Sequence, residues 1–300
     1  MIDTLSKLAC RIDTCRAERR QFDYRTGWPA ITKPDIKFAR VGGVQFRYRE
    51  RGNGKPIVFS ADPPVTLESY DEILDLYASQ FRVIVFELPG MGFSAAGGKY
   101  QFGWKDTNDT VAEFISKVAQ TPAILAFSCA AGLAATDIAV RYPALVEKLV
   151  LIQTGTPATF AEWKARRDPK KILARPFIGQ WAMKRMGKQR LNDWFELVVA
   201  NPKDVAKLSE QSMAALNRGG LWSLSSAYQR YLVHNVPLGV AEQPSLAIWG
   251  KKDRSHSPAS WRSARGLAES VDIVTFDDVG HFPELEAPAQ VAQCITDFAK

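Results

Sequence analysis

The chain has 300 residues, of which 46% are hydrophobic, and a formal net charge of +7. This length and composition fit one large core, or a core with a modest insertion, and four cysteines are too few for a disulfide-stapled scaffold. Charged side chains interrupt the first residues, so we expect no secretory signal, no membrane span and a cytoplasmic location.

The positive charge is concentrated in one part of the sequence. Between Ala158 and Val240 there are fourteen lysines and arginines and six acidic residues, which gives this segment +8 and leaves about −1 for the rest. We interpret the segment as carrying a solvated basic face, with a specific anionic partner as the alternative. We do not expect nucleic-acid binding.

The first 35 residues are predicted to form a helical extension. Leu5, Leu8, Ala9 and Ile12 recur at helical spacing among several arginines, which is typical of an amphipathic helix. Such a helix can pack on the body, support a homodimer or lie on a membrane surface. The apolar stripe is short and has no large aromatic anchor, which favours the first two uses.

The following residues alternate between predicted strands and helices. A hairpin at residues 36 to 50 precedes apolar strands that alternate with helices, a pattern typical of a parallel sheet covered on both faces. The alternation stops after residue 156 and resumes near residue 246, with tryptophan-containing helices between. We therefore predict an α/β core at residues 36–156 and 241–300 and a helical cap, or lid, at residues 157–240.

A serine lies between a predicted strand and a predicted helix. Ser128 follows the apolar residues 123 to 127 and precedes the small residues 130 to 132. A serine on such a turn projects its hydroxyl above the carboxyl ends of the strands, where open α/β sheets bind ligands. We interpret Ser128 as the candidate nucleophile, with a helix N-cap as the structural alternative.

Two residues in later loops complete a candidate triad. His281 lies in a short loop after the last predicted strand, from which it can reach the same sheet edge as Ser128. Asp253 follows the preceding strand, and a carboxylate there can hold the imidazole in one tautomer and stabilise its protonated form. The other histidines are His234, in the predicted lid, and His256, just past a strand end.

The order of these three residues, each at a strand end, resembles that of the α/β-hydrolase family. Residues 86–94 are similar to the family's D-x-P-G-x-G-x-S segment, with Glu87 in place of Asp. Residues 249–253 look like its W-G-x-x-D motif, and residues 280–288 fit G-H-x-x-x-x-E-x-P. The resemblance covers residues 36 to 300 and implies a mostly parallel central sheet, helices on both faces and an inserted helical lid.

The sequence departs from the family at two places. Alanines stand at positions 126 and 130, where relatives have glycine, and residues 60–64 replace the usual His-Gly. By position, the backbone N–H groups of Asp62 and Cys129 match the family's oxyanion-hole donors, because the prolines after Asp62 have none. The Asp62 carboxylate either points into the pocket, raising the pKa of His281, or caps the following turn, and the sequence favours the cap.

The resemblance implies a hydrolase that cleaves a carboxylic ester or lactone through an acyl-enzyme, using Ser128, His281 and Asp253 and no metal or cofactor. A serine nucleophile argues against haloalkane dehalogenases and epoxide hydrolases, which use aspartate. Two alternatives stay open: a carbon–carbon bond hydrolase of the same fold, and a ligand receptor that retains the triad. The tryptophans and the basic residues of the lid together predict a largely apolar small-molecule substrate, with a substrate that also carries an acidic group as a variant. The tryptophans are Trp163, Trp181, Trp194 and Trp222.

Overall fold

A computed structural model describes residues 2–24, 31–220, 222–232, 236 and 238–300. Its strands are β1 (Ile36–Val41), β2 (Val44–Arg51), β3 (Lys55–Ala61), β4 (Phe81–Glu87), β5 (Ala95–Ala96), β6 (Ala123–Ser128), β7 (Val146–Ile152), β8 (Ser245–Gly250) and β9 (Val271–Phe276). Its helices are α1 (Ile2–Tyr24), α2 (Asp71–Tyr77), α3 (Trp104–Ala119), α4 (Ala130–Arg141), α5 (Pro157–Arg167), α6 (Ile178–Val198), α7 (Pro202–Asn217), α8 (Leu224–Ser226), α9 (Pro283–Glu286) and α10 (Pro288–Ala299).

The strands form one sheet in the order β1-β2-β4-β3-β6-β7-β8-β9, with the short β5 paired to β2. The β1–β2 and β2–β4 pairs are antiparallel, whereas all pairs from β4 to β9 are parallel. Parallel strands end at the same edge, so the loops after β3, β6, β8 and β9 meet there. The predicted α/β-hydrolase architecture is confirmed.

Alternate residues of the central strands face opposite sides of the sheet, each covered by helices. On β6, Leu125 and Phe127 pack into one buried cluster, which includes α3 and α4 residues. Ile124 and Ala126 pack into the other, which includes residues of α2, α6 and α10. By this alternation the side chain of Ser128 belongs with Ile124 and Ala126.

Helices α5 to α8 and a π-helical turn at Ala227–Tyr231 lie between β7 and β8 and form the lid. The lid is attached to the body beside the candidate site. The Val198 carbonyl at the end of α6 accepts a hydrogen bond from the His281 backbone N–H (2.9 Å), and the Ala200 N–H donates to Glu286 (2.8 Å). These contacts couple the position of α6 to the loop that carries His281.

Helix α1 buries only part of the apolar stripe that the sequence suggested. Ala9 is buried, together with Cys10 and Asp13, whereas Leu5, Leu8 and Ile12 are exposed. The Asp13 carboxylate accepts a hydrogen bond from Ser226 in α8 (2.6 Å). A hydrogen bond to the lid, together with burial of Ala9 and Cys10, therefore holds this helix.

Candidate active site

Asp253 and His281 come together as the sequence predicts. Asp253 Oδ2 lies 2.6 Å from His281 Nδ1, and both side chains are buried. Burial opposes a charge on His281, but the Asp253 carboxylate outweighs it, aided by the neighbouring Asp62 and Cys129 side chains, and raises the pKa of His281 well above its usual range. Despite its own burial, Asp253 has a pKa well below its usual range because His281 and His256 face it.

Neighbouring side chains fix the orientation of Asp253. Gln153 Nε2 donates to Asp253 Oδ2 (2.9 Å), and the Ser255 N–H donates to Oδ1 (2.7 Å). His256 Nδ1 also lies 2.7 Å from Oδ2, and burial lowers the pKa of His256, which favours its neutral form. These partners of Asp253 were not identified from the sequence. The only signal for any of them was that His256 lies three residues after Asp253 in the sequence.

The strained turn between β6 and α4 is formed by Cys129, not Ser128. Cys129 has φ 53° and ψ −125°, a conformation that non-glycine residues adopt rarely and that recurs at active sites. A Cβ on Gly132 would lie 2.0 Å from Thr154 Oγ1, so the tight approach of α4 to β7 requires glycine there. The Cys129 carbonyl accepts a hydrogen bond from Thr154 (3.0 Å), which holds the turn.

The thiol of Cys129 lies beside His281. Cys129 Sγ, a His281 ring nitrogen and an Asp62 carboxylate oxygen all lie within 4.8 Å of one another. Burial and the Asp62 charge raise the pKa of Cys129, while His281 and the Ala130 N–H at the start of α4 act against them.

The Ser128 hydroxyl is directed away from His281. It donates a hydrogen bond to Glu284 Oε1 (2.9 Å), and the Ser128 N–H donates to Ser60 Oγ (3.2 Å). Glu284 is buried, and desolvation raises its pKa to about 7. Ser128 and Cys129 are consecutive, so their side chains point to opposite sides of the sheet. The Ser128 hydroxyl bonds to Glu284, and the structure does not bring the predicted nucleophile to the predicted base.

One of the two predicted oxyanion donors is already engaged. The Cys129 N–H donates to the Ile152 carbonyl (2.8 Å), whereas the Asp62 N–H stays a predicted donor. The N–H group that follows Cys129 belongs to Ala130 and faces the thiol. The prediction for Cys129 is therefore corrected, since its amide is part of the connection between β6 and β7.

The Asp62 carboxylate points into the site. Its Oδ2 lies 3.0 Å from His281 Nε2, so the imidazole lies between two carboxylates, Asp62 and Asp253. The alternative in which Asp62 turns away to cap the following turn is not observed. This carboxylate lies next to the Cys129 thiol, and its charge favours both the protonated imidazole and the neutral thiol.

Replacing Asp62 by asparagine should move the acid limb of the kcat/KM profile to lower pH. The substitution removes a charge that raises the pKa of both His281 and Cys129, so each group loses its proton at lower pH. Rates of p-nitrophenyl acetate hydrolysis across pH measure the shift, with the exposed Asp272→Asn as control. An unmoved acid limb combined with lower stability would instead assign Asp62 a structural role.

Two sets of buried side chains could offer metal ligands: Asp62, Cys129 and His281, and Asp253, His256 and His281. Both sets share His281, whose two ring nitrogens already lie within hydrogen-bond distance of Asp62 and Asp253. Their geometry is that of a proton-transfer network, and the expectation of metal-free chemistry stays a prediction. In the described part of the chain, no helix is both long and apolar enough to cross a membrane.

A parallel sheet with catalytic-type side chains at the ends of β6, β8 and β9 is the arrangement of a hydrolase with a lid. The chain belongs to the alpha/beta hydrolase family, whose model matches residues 59–294. The predictions of this family and of a hydrolase are thereby confirmed.

Individual relatives are distant. The chain is 24% identical over 229 residues to the pimeloyl-[acyl-carrier protein] methyl ester esterase of Nitrosospira multiformis, covering 74% of this chain and 86% of that protein. It is 22% identical over 251 residues to the biotin biosynthesis bifunctional protein BioHC of Teredinibacter turnerae, covering 76% of this chain. The match spans only 41% of the bifunctional protein's length.

Solved structures agree with the fold. An epoxide hydrolase of Bacillus megaterium superimposes with a TM-score of 0.70 at 17% identity, covering 88% of this chain and 99% of that one. At this level of identity the likeness concerns the fold and leaves the chemistry to be argued from the site.

Proposed function

We propose that this chain hydrolyses a carboxylic ester or lactone with Cys129 as nucleophile, His281 as general base and Asp253 as the carboxylate that orients it. The observation that carries the proposal is the position of Cys129. It occupies the strained strand-to-helix turn that presents the nucleophile in this fold, and its Sγ lies within 4.8 Å of a His281 ring nitrogen. Ser128, one residue earlier, is the last residue of β6, and its hydroxyl donates to Glu284 instead.

Attack begins when the thiol proton moves to His281 Nε2 and Cys129 Sγ bonds to the acyl carbon. Asp253 stabilises the resulting imidazolium through the 2.6 Å contact to Nδ1. The proton transfer requires a neutral imidazole, and the raised pKa of His281 means that this form gains population as the pH rises. The reaction is therefore expected to be faster at alkaline pH.

The oxyanion of the tetrahedral intermediate can be stabilised by the Ala130 N–H at the start of α4, where the helix dipole adds to the hydrogen bond. The imidazolium then gives its proton to the departing alkoxide, and the acyl group remains on Cys129 as a thioester. Water activated by His281 cleaves the thioester, which releases the carboxylic acid and restores the thiol.

Acid quenching during the first turnover of p-nitrophenyl acetate tests the assignment. We expect one acetyl group on Cys129, located by peptide fragmentation and removed by neutral hydroxylamine because it is a thioester. Acetyl on Ser128 would contradict the proposal. Failure of a library of esters, lactones and diketones to acylate the protein or turn over would favour the receptor alternative.

A further inference from the structure

A cavity of about 320 Å³ lies between the lid and the loop after β3. It lies next to the proposed reaction centre. Pro63 and Pro64, which line it, directly follow Asp62, and Trp194, also in its wall, packs edge-on against His281 with 5.3 Å between ring centroids. The cavity therefore adjoins residues that surround His281, although neither His281 nor Cys129 lines it.

Arginines from two lid helices, Arg167 of α5 and Arg190 of α6, line this cavity. Across the described residues, neither guanidinium has an ion-pair partner within 4.0 Å. Asp193 also lines the cavity but is exposed to solvent. With two cations and one anion, the wall carries a net positive charge, although most of its residues are apolar.

The same wall contains buried donors that have no acceptor among the described residues. Arg190 Nε, Trp194 Nε1 and Trp222 Nε1 are shielded from solvent and make no hydrogen bond. Buried N–H groups are nearly always paired, so these residues leave donors unsatisfied behind the cavity wall. Arg167 and Arg190, which line the cavity without an ion-pair partner among the described residues, are the cations that a ligand there would meet.

We propose that the cavity selects acyl substrates that carry a carboxylate, with Arg190 as the main contact and Arg167 as the second cation. An arginine fork matches the two oxygens of a carboxylate, and the apolar wall accommodates the chain that joins the carboxylate to the reacting acyl group. The inference rests on the proposed function, because it places the reacting acyl carbon at Cys129.

The test compares two p-nitrophenyl esters of glutaric acid, one with a free second carboxylate and one in which that group is a methyl ester. The wild type should have the higher kcat/KM on the carboxylate form. Arg190→Gln should lower the ratio of the two kcat/KM values by roughly 10- to 100-fold, mainly through KM, because a charge-assisted hydrogen bond is lost. An unchanged ratio would overturn the proposal.

Lys188→Gln is the matched control, since it removes the same charge from an exposed position on the same helix. Its ratio should stay within about twofold of wild type, because exposed charges are screened. If both variants lower the ratio equally, a diffuse positive field would explain the preference, and a specific contact at Arg190 would be excluded.

Calorimetric binding of monomethyl glutarate separates this inference from the proposed function. If monomethyl glutarate binds, Arg190→Gln abolishes this binding and no ester acylates the protein, the carboxylate site is supported and the hydrolase proposal is wrong. If both esters acylate Cys129 equally well, the hydrolase proposal is supported and the carboxylate site is wrong.

Discussion

Cys129→Ala should reduce kcat on p-nitrophenyl acetate by roughly 10³-fold or more, because removal of a nucleophile abolishes the covalent route. Circular dichroism and the unfolding midpoint should change little. Adding His281→Ala should cause little further loss, since residues that act as a unit are not additive. Stopped-flow measurement of p-nitrophenol release gives both the burst and the steady-state rate.

Ser128→Ala is the control that distinguishes the two adjacent residues. It should keep most of the wild-type turnover, because the hydroxyl donates to Glu284 and does not contact His281. Its expected cost is stability, about 1–3 kcal/mol, since the buried Glu284 carboxyl group loses the Ser128 donor and keeps the longer bond from Tyr70 (3.4 Å). If Ser128→Ala is inactive and Cys129→Ala remains active, the nucleophile is the serine and the proposal is wrong.

Arg47→Met should destabilise the protein by about 3–5 kcal/mol, because it leaves a buried carboxylate without its counter-ion. Arg47 and Glu87 are both buried and lie 2.8 Å apart, and Arg47 also pairs with Glu68. Glu87 in turn accepts hydrogen bonds from the Phe93 and Leu67 N–H groups, at 2.7 and 3.3 Å. The ion pair therefore supports the loop after β4 as well as the sheet.

Urea unfolding at pH 7 measures this loss, with Arg51→Met as control. Arg51 pairs with Asp35 and Asp75 at the surface, so its removal should cost at most about 1 kcal/mol. Arg47 holds the pKa of Glu68 at about 2 despite burial, and that stabilisation is present above pH 4.5 and lost as the pH falls towards 2. The difference in unfolding free energy between Arg47→Met and wild type should shrink over this range. If Arg47→Met and Arg51→Met lose equal amounts of stability, the ion pair of Arg47 and Glu87 has no special role.

The same residues explain a departure from the family pattern. Glu87 replaces the aspartate of the D-x-P-G-x-G-x-S segment, and a Cβ on Gly92 would lie 2.3 Å from its carboxyl carbon. The loop folds closely around the longer side chain, so Gly92 has no room for a larger residue. The substitution can be read from the sequence, but the partner of Glu87, Arg47, is 40 positions away. Their contact depends on the pairing of β2 with β4.

The proposed nucleophile, Cys129, lies one residue after the serine that the motif indicated. Alanines two residues before and two after Ser128 satisfied the spacing expected of a nucleophile turn, whereas Cys129 has Phe127 two residues before it. Phe127 fits because it packs against Phe86 in the core on the other side of the sheet. The close approach of α4 to Thr154 requires a glycine at position 132, three residues after Cys129. The position of this glycine was the signal in the sequence that favoured Cys129.

Patterns along the chain were enough to predict the order of the strands and helices, a helical lid inserted after β7, and Asp253 and His281 as partners. These features depend on local periodicity and on loops at strand ends, both of which are readable along the chain. The tertiary structure was needed for features that depend on direction and distance. These features are that β6 continues through Ser128, that the chain turns at Cys129, and that Asp62 faces His281. A shift of one residue in the end of a strand reverses which side chain faces the site, and only the packing of the whole sheet fixes that end.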